Sequence, residues 1–140
     1  MVQIHQSCGF LVYYFDEGVR TYLLLHYPQG HWDFVKGHTE EHDDDELATA
    51  KRELEEETGI KNIDVASGFM MTMHYDYRHN GELQEKSVDY FLGEVDPQEV
   101  TLSHEHQDFD WQPYPAALDK LTFDNARDIL IAAEAFLMSK

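Results

Sequence analysis

The segment Arg52-Glu53-Leu54-Glu55-Glu56-Glu57-Thr58-Gly59-Ile60, approached through Lys36-Gly37-His38, constrains this chain more than any other stretch. Leu47, Ala50, Leu54 and Thr58 recur at three- and four-residue spacing, so residues of about 45–58 are expected to form a helix with one apolar stripe. Asp43, Asp44 and Asp45 suit its N-terminus as caps and as partners of the helix dipole, and Gly59 suits its C-cap. At ~100° per residue, Glu53, Glu56 and Glu57 fall within one ~100° sector beside the leucine stripe, while Glu55 points elsewhere. Carboxylates crowded in this way repel one another unless the face is fully solvated or a cation relieves it. Hard oxygen donors along one edge suit magnesium, and magnesium points towards phosphate chemistry.

The remainder of the chain sets the frame for that helix. At 140 residues one domain is expected, spanning residues 1–140 and large enough to bury a core. The apolar fraction of 42% and aromatic fraction of 13% argue for a folded chain. No apolar run is long enough to span a bilayer, no charged-then-apolar leader opens the sequence, and the single cysteine, Cys8, fits a reducing cytoplasm. Cytoplasmic location is the expectation, with Cys8 a buried, inert thiol. A net charge of −18 disfavours long nucleic acids and anionic membranes, so a polyphosphate ligand would need metal ions and a few placed cations. A monomer is favoured.

Strand signals dominate elsewhere. Residues of about 3–15 and 21–27, split by Asp16-Glu17-Gly18, read as a hairpin. A short strand over 32–35 leads into Gly37, and segments of about 63–77 and 85–95 are joined by a turn around His79-Asn80-Gly81. A strand around Phe109-Asp110-Trp111 and a helix of about 125–138 complete an α/β fold, a sandwich with a mixed sheet.

Arg52 to Ile60 matches R-E-U-x-E-E-x-G-U (U a bulky aliphatic) at every specified position, with Gly37 upstream. The chain therefore resembles the Nudix hydrolases, which cleave nucleoside diphosphates linked to another group using divalent metal. Trp32, Lys36-Gly37-His38, Leu102-Ser103-His104-Glu105-His106-Gln107 and Trp111 are similar to the asymmetric diadenosine tetraphosphate hydrolases, as are Tyr90 to Val95 and Phe136. The resemblance implies a Nudix-type α/β/α sandwich. One departure stands upstream: Gly37 lies fifteen residues before Arg52 where the family pattern has fourteen, and the family's glutamate position falls on Asp44 or Asp43.

By this resemblance Glu53 either binds metal or takes the proton of the attacking water, and Glu56 and Glu57 are metal ligands. Glu105 joins the metal site from across the fold as the other candidate general base, and Arg52 orients the carboxylates. The implied cofactor is magnesium, with manganese as substitute, and the implied partner a nucleoside polyphosphate substrate. Lys36, Lys86, Gly37 and His38 would approach its phosphates. Tyr75 and Phe136 resemble the aromatic pair that stacks an adenine ring, with Tyr77, Trp111 and Tyr114 as substitutes. His104 and His106 around Glu105 also raise a transition-metal reading, which no H-x-x-x-H helix or Cys/His cluster supports. The implied reaction is hydrolysis of diadenosine tetraphosphate to ATP and AMP. Its rivals are another Nudix specificity, such as RNA 5′-pyrophosphohydrolase or nucleoside triphosphate pyrophosphatase, and a non-catalytic nucleotide sensor.

Overall fold

Alternation of apolar residues along the first strand decides the layering. In β1 (Gln3–Asp16), Cys8, Phe10 and Val12 face one way and Leu11 and Tyr13 the other, and all five are buried. Both faces of β1 are therefore covered. The structure, a computed structural model, describes residues 3–97, 100 and 108–140. In chain order β1 is followed by β2 (Val19–His26), β3 (Trp32–Asp33), β4 (Val35–His38), α1 (Glu46–Thr58), β5 (Asp64–Val65), β6 (Met71–His79) and β7 (Glu82–Glu94). After these come β8 (Asp108–Pro113), α2 (Tyr114–Lys120) and α3 (Asp124–Met138).

The strands form one mixed sheet. β1 and β2 make the expected hairpin, pairing Tyr13 with Tyr22 and Asp16 with Val19. β1 also runs parallel to β7 from Gln3–Gln84 to Tyr13–Glu94, and its early residues pair antiparallel with β4. On one face Leu11, Tyr22, Leu24, Phe34 and Tyr90 pack against α2 and α3 through Ala117, Leu121, Ile129, Leu130 and Ala133. On the other, Phe10, Leu23, Leu25 and Val35 receive Ala50 and Leu54 of α1, with Ile60. This is an α/β/α sandwich. No helix among the described residues is long and apolar enough to cross a membrane.

Three expectations need correction. The strand expected over 63–77 is two strands, β5 and β6, because the backbone turns at Gly68 with φ of +91°. The segment at 32–35 divides into β3, which pairs with β2, and β4, which pairs with β1. α2 escapes a reading based on apolar periodicity because it has seven residues and buries only Ala117.

The start of α1 is more specific than three interchangeable aspartates. Asp45 is the N-cap, its side chain accepting from the Ala48 N–H at 2.8 Å. Glu46, in the first turn, shares a hydrogen bond with Asp89 of β7, and this contact, reinforced by desolvation, raises its pKa to about 7. Asp89 is itself buried and accepts from Gln6 at 3.1 Å and Thr72 at 2.5 Å. The folded chain thus holds a proton on Glu46 that the unfolded chain releases near pH 4.5. Stability from this group is full below that value and declines as pH rises through 7. Thermal melts from pH 5 to 8 are expected to show a falling Tm that flattens in Glu46→Gln, and an unchanged slope would count against the shared proton.

Candidate active site

Arg52 gathers the acidic groups at the start and along the edge of α1. Its Nε and Nη2 donate to the two oxygens of Asp43 at 2.9 and 3.0 Å, and Nη2 also donates to the His38 carbonyl at 2.9 Å. Its Nη1 reaches Glu53 at 3.3 Å, Glu56 at 3.1 Å and Glu40 at 3.6 Å. The Arg52 guanidinium holds the Asp43 carboxyl well below the usual carboxylate range. Asp43 also accepts from the Thr49 hydroxyl at 2.8 Å and the Glu40 N–H at 2.9 Å, closing the loop between β4 and the helix. Of the two aspartates at the irregular family position, Asp43 therefore clamps the arginine, while Asp44 is exposed.

Gly37 decides where Glu53 can lie. A methyl group built on Gly37 would overlap the Glu53 carboxylate, so glycine leaves open the place that this carboxylate takes beside β4. A cleft of about 490 Å³ opens beside this contact, lined by Glu40, Glu53 and Glu57 from the acidic side and by Lys36, His38 and Lys86 from the sheet. The Glu53 side chain is 13% exposed and Glu57 is 6% exposed, whereas the Glu56 side chain is 58% exposed and rests on Arg52 outside the cleft lining. Several hard oxygen donors, with the buried Glu57 and the half-buried Glu53 lining one cleft, fit a magnesium-type cation.

Of the cations opposite, Lys36 is already paired and Lys86 is half-buried. Lys36 Nζ pairs with the buried Asp33 at 2.9 Å, and Asp33 is fixed by accepting from the Phe34 N–H at 2.8 Å. Burial lowers the pKa of Lys86, and the nearby Lys36 adds to the shift. His38 is also pushed down, by burial first and then by Lys86 and His5, so it faces the cleft as a neutral imidazole at pH 7.

Lys36 lines a second cavity as well, of about 370 Å³, shared with His31, Asp33, Met73, Tyr75, Phe123 and Asn125. Its aromatic wall is ordered: His31 stacks on Tyr27 at 4.8 Å and meets Phe123 at 5.3 Å. The Trp32 N–H donates to the Thr122 hydroxyl at 2.8 Å, which ties the Phe123 loop to the strand side. Lys86 Nζ lies 6.0 Å from the Tyr75 ring centroid.

Most of the residues read from sequence converge here. Glu53, Glu57, Lys36, Gly37, His38 and Lys86 line the cleft, and Tyr75 lines the adjoining aromatic cavity. Phe136 does not join them. It packs edge-on against Phe69 at 5.4 Å and lies against Gly68. It sits thirteen residues after Phe123 along the C-terminal helix, ~20 Å at 1.5 Å per residue. Phe123, at the N-cap of α3 and 47% exposed, shares the cavity with Tyr75 instead. An aromatic just outside a helical stripe, before the helix start, was the available signal. Glu40 was also missed, since nothing local marks it; His31 and Asp33 are in the same position. Trp111 is engaged with Tyr14 at 4.7 Å, and Tyr114 packs on the core. Glu105, His104 and His106 lie outside the described residues.

If Tyr75 and Phe123 seat an aromatic ligand, each alanine variant should raise KM by about 5- to 150-fold, the equivalent of ~1–3 kcal/mol of stacking. Phe136→Ala should lower Tm and leave KM near the parent value. Steady-state kinetics with thermal melts on the three variants checks this; a Phe136 effect on KM matching that of Tyr75 would reverse the assignment.

Comparison with known proteins agrees with this geometry. The NUDIX domain family matches residues 7–133. The asymmetrical bis(5′-nucleosyl)-tetraphosphatase of Mus musculus is 32% identical over 146 residues, covering 96% of each chain. The Caenorhabditis elegans enzyme of the same name is 31% identical over 139 residues, covering 94% of this chain and 96% of that one. A crystal structure of a C. elegans Ap4A hydrolase binary complex superposes with a TM-score of 0.87 at 30% identity, over 97% of this chain and 99% of that one. The Escherichia coli dihydroneopterin triphosphate pyrophosphohydrolase shares the fold, with a TM-score of 0.72 at 18% identity over 96% of each chain.

Proposed function

The chain belongs to the Nudix family and is a pyrophosphohydrolase acting on phosphorus-containing anhydrides, and we propose that its substrate is diadenosine tetraphosphate, cleaved to ATP and AMP with magnesium. The observation that carries this reading is that Lys36 lines two cavities at once. One is an aromatic chamber with Tyr75 and Phe123, the other a cleft with Glu53 and Glu57. One end suits a base and the other suits a phosphate chain beside carboxylates.

In the proposed reaction Tyr75 and Phe123 seat the base of one nucleotide. Lys36 and Lys86 face the phosphates that follow it, and their charge offsets the field of a chain carrying −18. Glu57 in the cleft, Glu56 on turning in from Arg52, and Glu105 as a further candidate would hold a magnesium ion, which would polarise phosphate oxygens and lower the pKa of a bound water. Glu53, beside Gly37 and oriented by Arg52, either joins these ligands or takes the proton of the attacking water, with Glu105 the other candidate base. His38, neutral at pH 7, presents a hydrogen-bonding edge to the phosphates without adding charge.

Incubation with dinucleoside polyphosphates, capped and triphosphorylated RNA and single nucleotides, with products resolved chromatographically, tests the reading. ATP and AMP from diadenosine tetraphosphate are expected in equal amounts. Two molecules of ADP, or turnover confined to RNA ends, would overturn it. Binding without hydrolysis in magnesium and manganese would mark a sensor.

A further inference from the structure

Strand pairing arranges the site-bearing face of the sheet in rows. Ser7 of β1 pairs with His38 of β4 and with Val88 of β7, which pairs with Met73 of β6. The next row on the same face is His5–Lys86–Tyr75, followed by Gln84–Tyr77 and then Glu82–His79 at the hairpin end. The middle row touches three cavities at once. Tyr75 lines the aromatic chamber and Lys86 the acidic cleft, while His5 lines a further cavity of about 400 Å³ with Tyr77, His79, Asn80, Glu82 and Gln84.

This third cavity lies beside the acidic cleft and carries imidazole, phenol and amide groups. The His5 ring lies 6.3 Å from that of His38, which lines the cleft, and its Nε2 is held by Gln84 Oε1 at 2.8 Å. Tyr77 is 42% exposed, with its ring centroid 6.3 Å from that of Tyr75. Asn80 adopts φ of +53° beside Gly81, the geometry of a tight hairpin, so the polar turn is set by backbone conformation. Glu82 on the rim opposes a second phosphate site, whereas an uncharged heterocycle can stack on Tyr77 or an imidazole and accept or donate to Gln84 and Asn80. Adjacent strands are ~4.8 Å apart, so Tyr75 and His5 stand ~10 Å apart across Lys86.

We propose that the cavity formed by His5, Tyr77, His79, Asn80, Glu82 and Gln84 binds the second nucleoside of a dinucleoside polyphosphate, whose phosphate chain loops from Tyr75 past Lys86 and returns at His5. The proposal rests on the dinucleoside polyphosphate reading above. It separates two aromatic positions on one strand: Tyr75 serves every substrate bearing a base, and Tyr77 serves only those bearing two.

Calorimetric titration of the intact protein carrying Glu57→Gln, chosen to slow turnover, compares diadenosine tetraphosphate with adenosine 5′-tetraphosphate. Adding Tyr77→Ala is expected to weaken the dinucleotide by about 5- to 100-fold more than the mononucleotide, while Tyr77→Phe keeps the difference small. Adding Tyr75→Ala weakens both. Equal weakening of both ligands by Tyr77→Ala, or none, overturns the subsite and leaves the substrate reading intact. Absence of dinucleotide binding in the parent, with mononucleotide binding retained, overturns the substrate reading and the subsite with it.

Discussion

Glu57→Gln is expected to lower kcat by about 10²- to 10⁴-fold while Tm holds or rises. Glu57 is 6% exposed and faces the cleft from the last turn of α1, so its charge is held out of water beside other carboxylates. Amide replacement keeps the shape and removes one negative charge, which relieves repulsion in the metal-free protein. It also removes the hard anionic oxygens on which a magnesium ion relies. The two readouts therefore move apart, whereas a purely structural role would move them together. Turnover near the parent value at saturating magnesium would remove Glu57 from the site, and chelation of divalent ions should reduce the parent enzyme to the variant's level.

Arg52→Ala is expected to reduce both activity and stability. The guanidinium holds the two Asp43 oxygens, the His38 carbonyl, Glu53 and Glu56, so its loss frees the loop that follows β4 and lets the Glu53 carboxylate move. Displacing a group that orients a ligand typically costs about 10- to 100-fold in activity or metal affinity. Arg52→Lys should not restore it, because a single ammonium cannot reproduce the paired bonds to Asp43. Stability should fall most above pH 4. The Asp43 pKa is depressed by Arg52, so the pair stabilises the fold where free aspartate would already be ionised and loses that effect as pH falls. Kinetics at several magnesium concentrations, with melts at pH 3 and pH 7, check both parts; equal Tm differences at the two pH values would contradict the pairing.

These effects differ in how far they could be read from the chain alone. The helix over 46–58, its buried edge at Ala50 and Leu54 and its glycine cap were legible because a helical period and a stop signal are local properties. The grouping of Glu53 and Glu57 followed from the same period. The extra residue between Gly37 and Arg52 was legible as a count, but its consequence was not. Asp43 meets Arg52 because the loop folds back over nine residues, a contact that no periodicity encodes.

The aromatic chamber was less legible still. Tyr75 and Phe123 are forty-eight residues apart, and their meeting depends on how α3 crosses the sheet and on the Thr122–Trp32 contact. Phe136 carries the family resemblance but packs on Phe69, away from the cavity that Tyr75 lines. Local chemistry, namely the carboxylates that could share a cation, the glycine that caps their helix and the strands that alternate, is written into neighbouring residues. Their spacing alone imposes it through backbone geometry. Which distant side chains share a cavity is set by packing two helix layers on a mixed sheet. Shape and burial act there on the whole chain at once, so the aromatic chamber and the clamp on Arg52 emerge only in three dimensions.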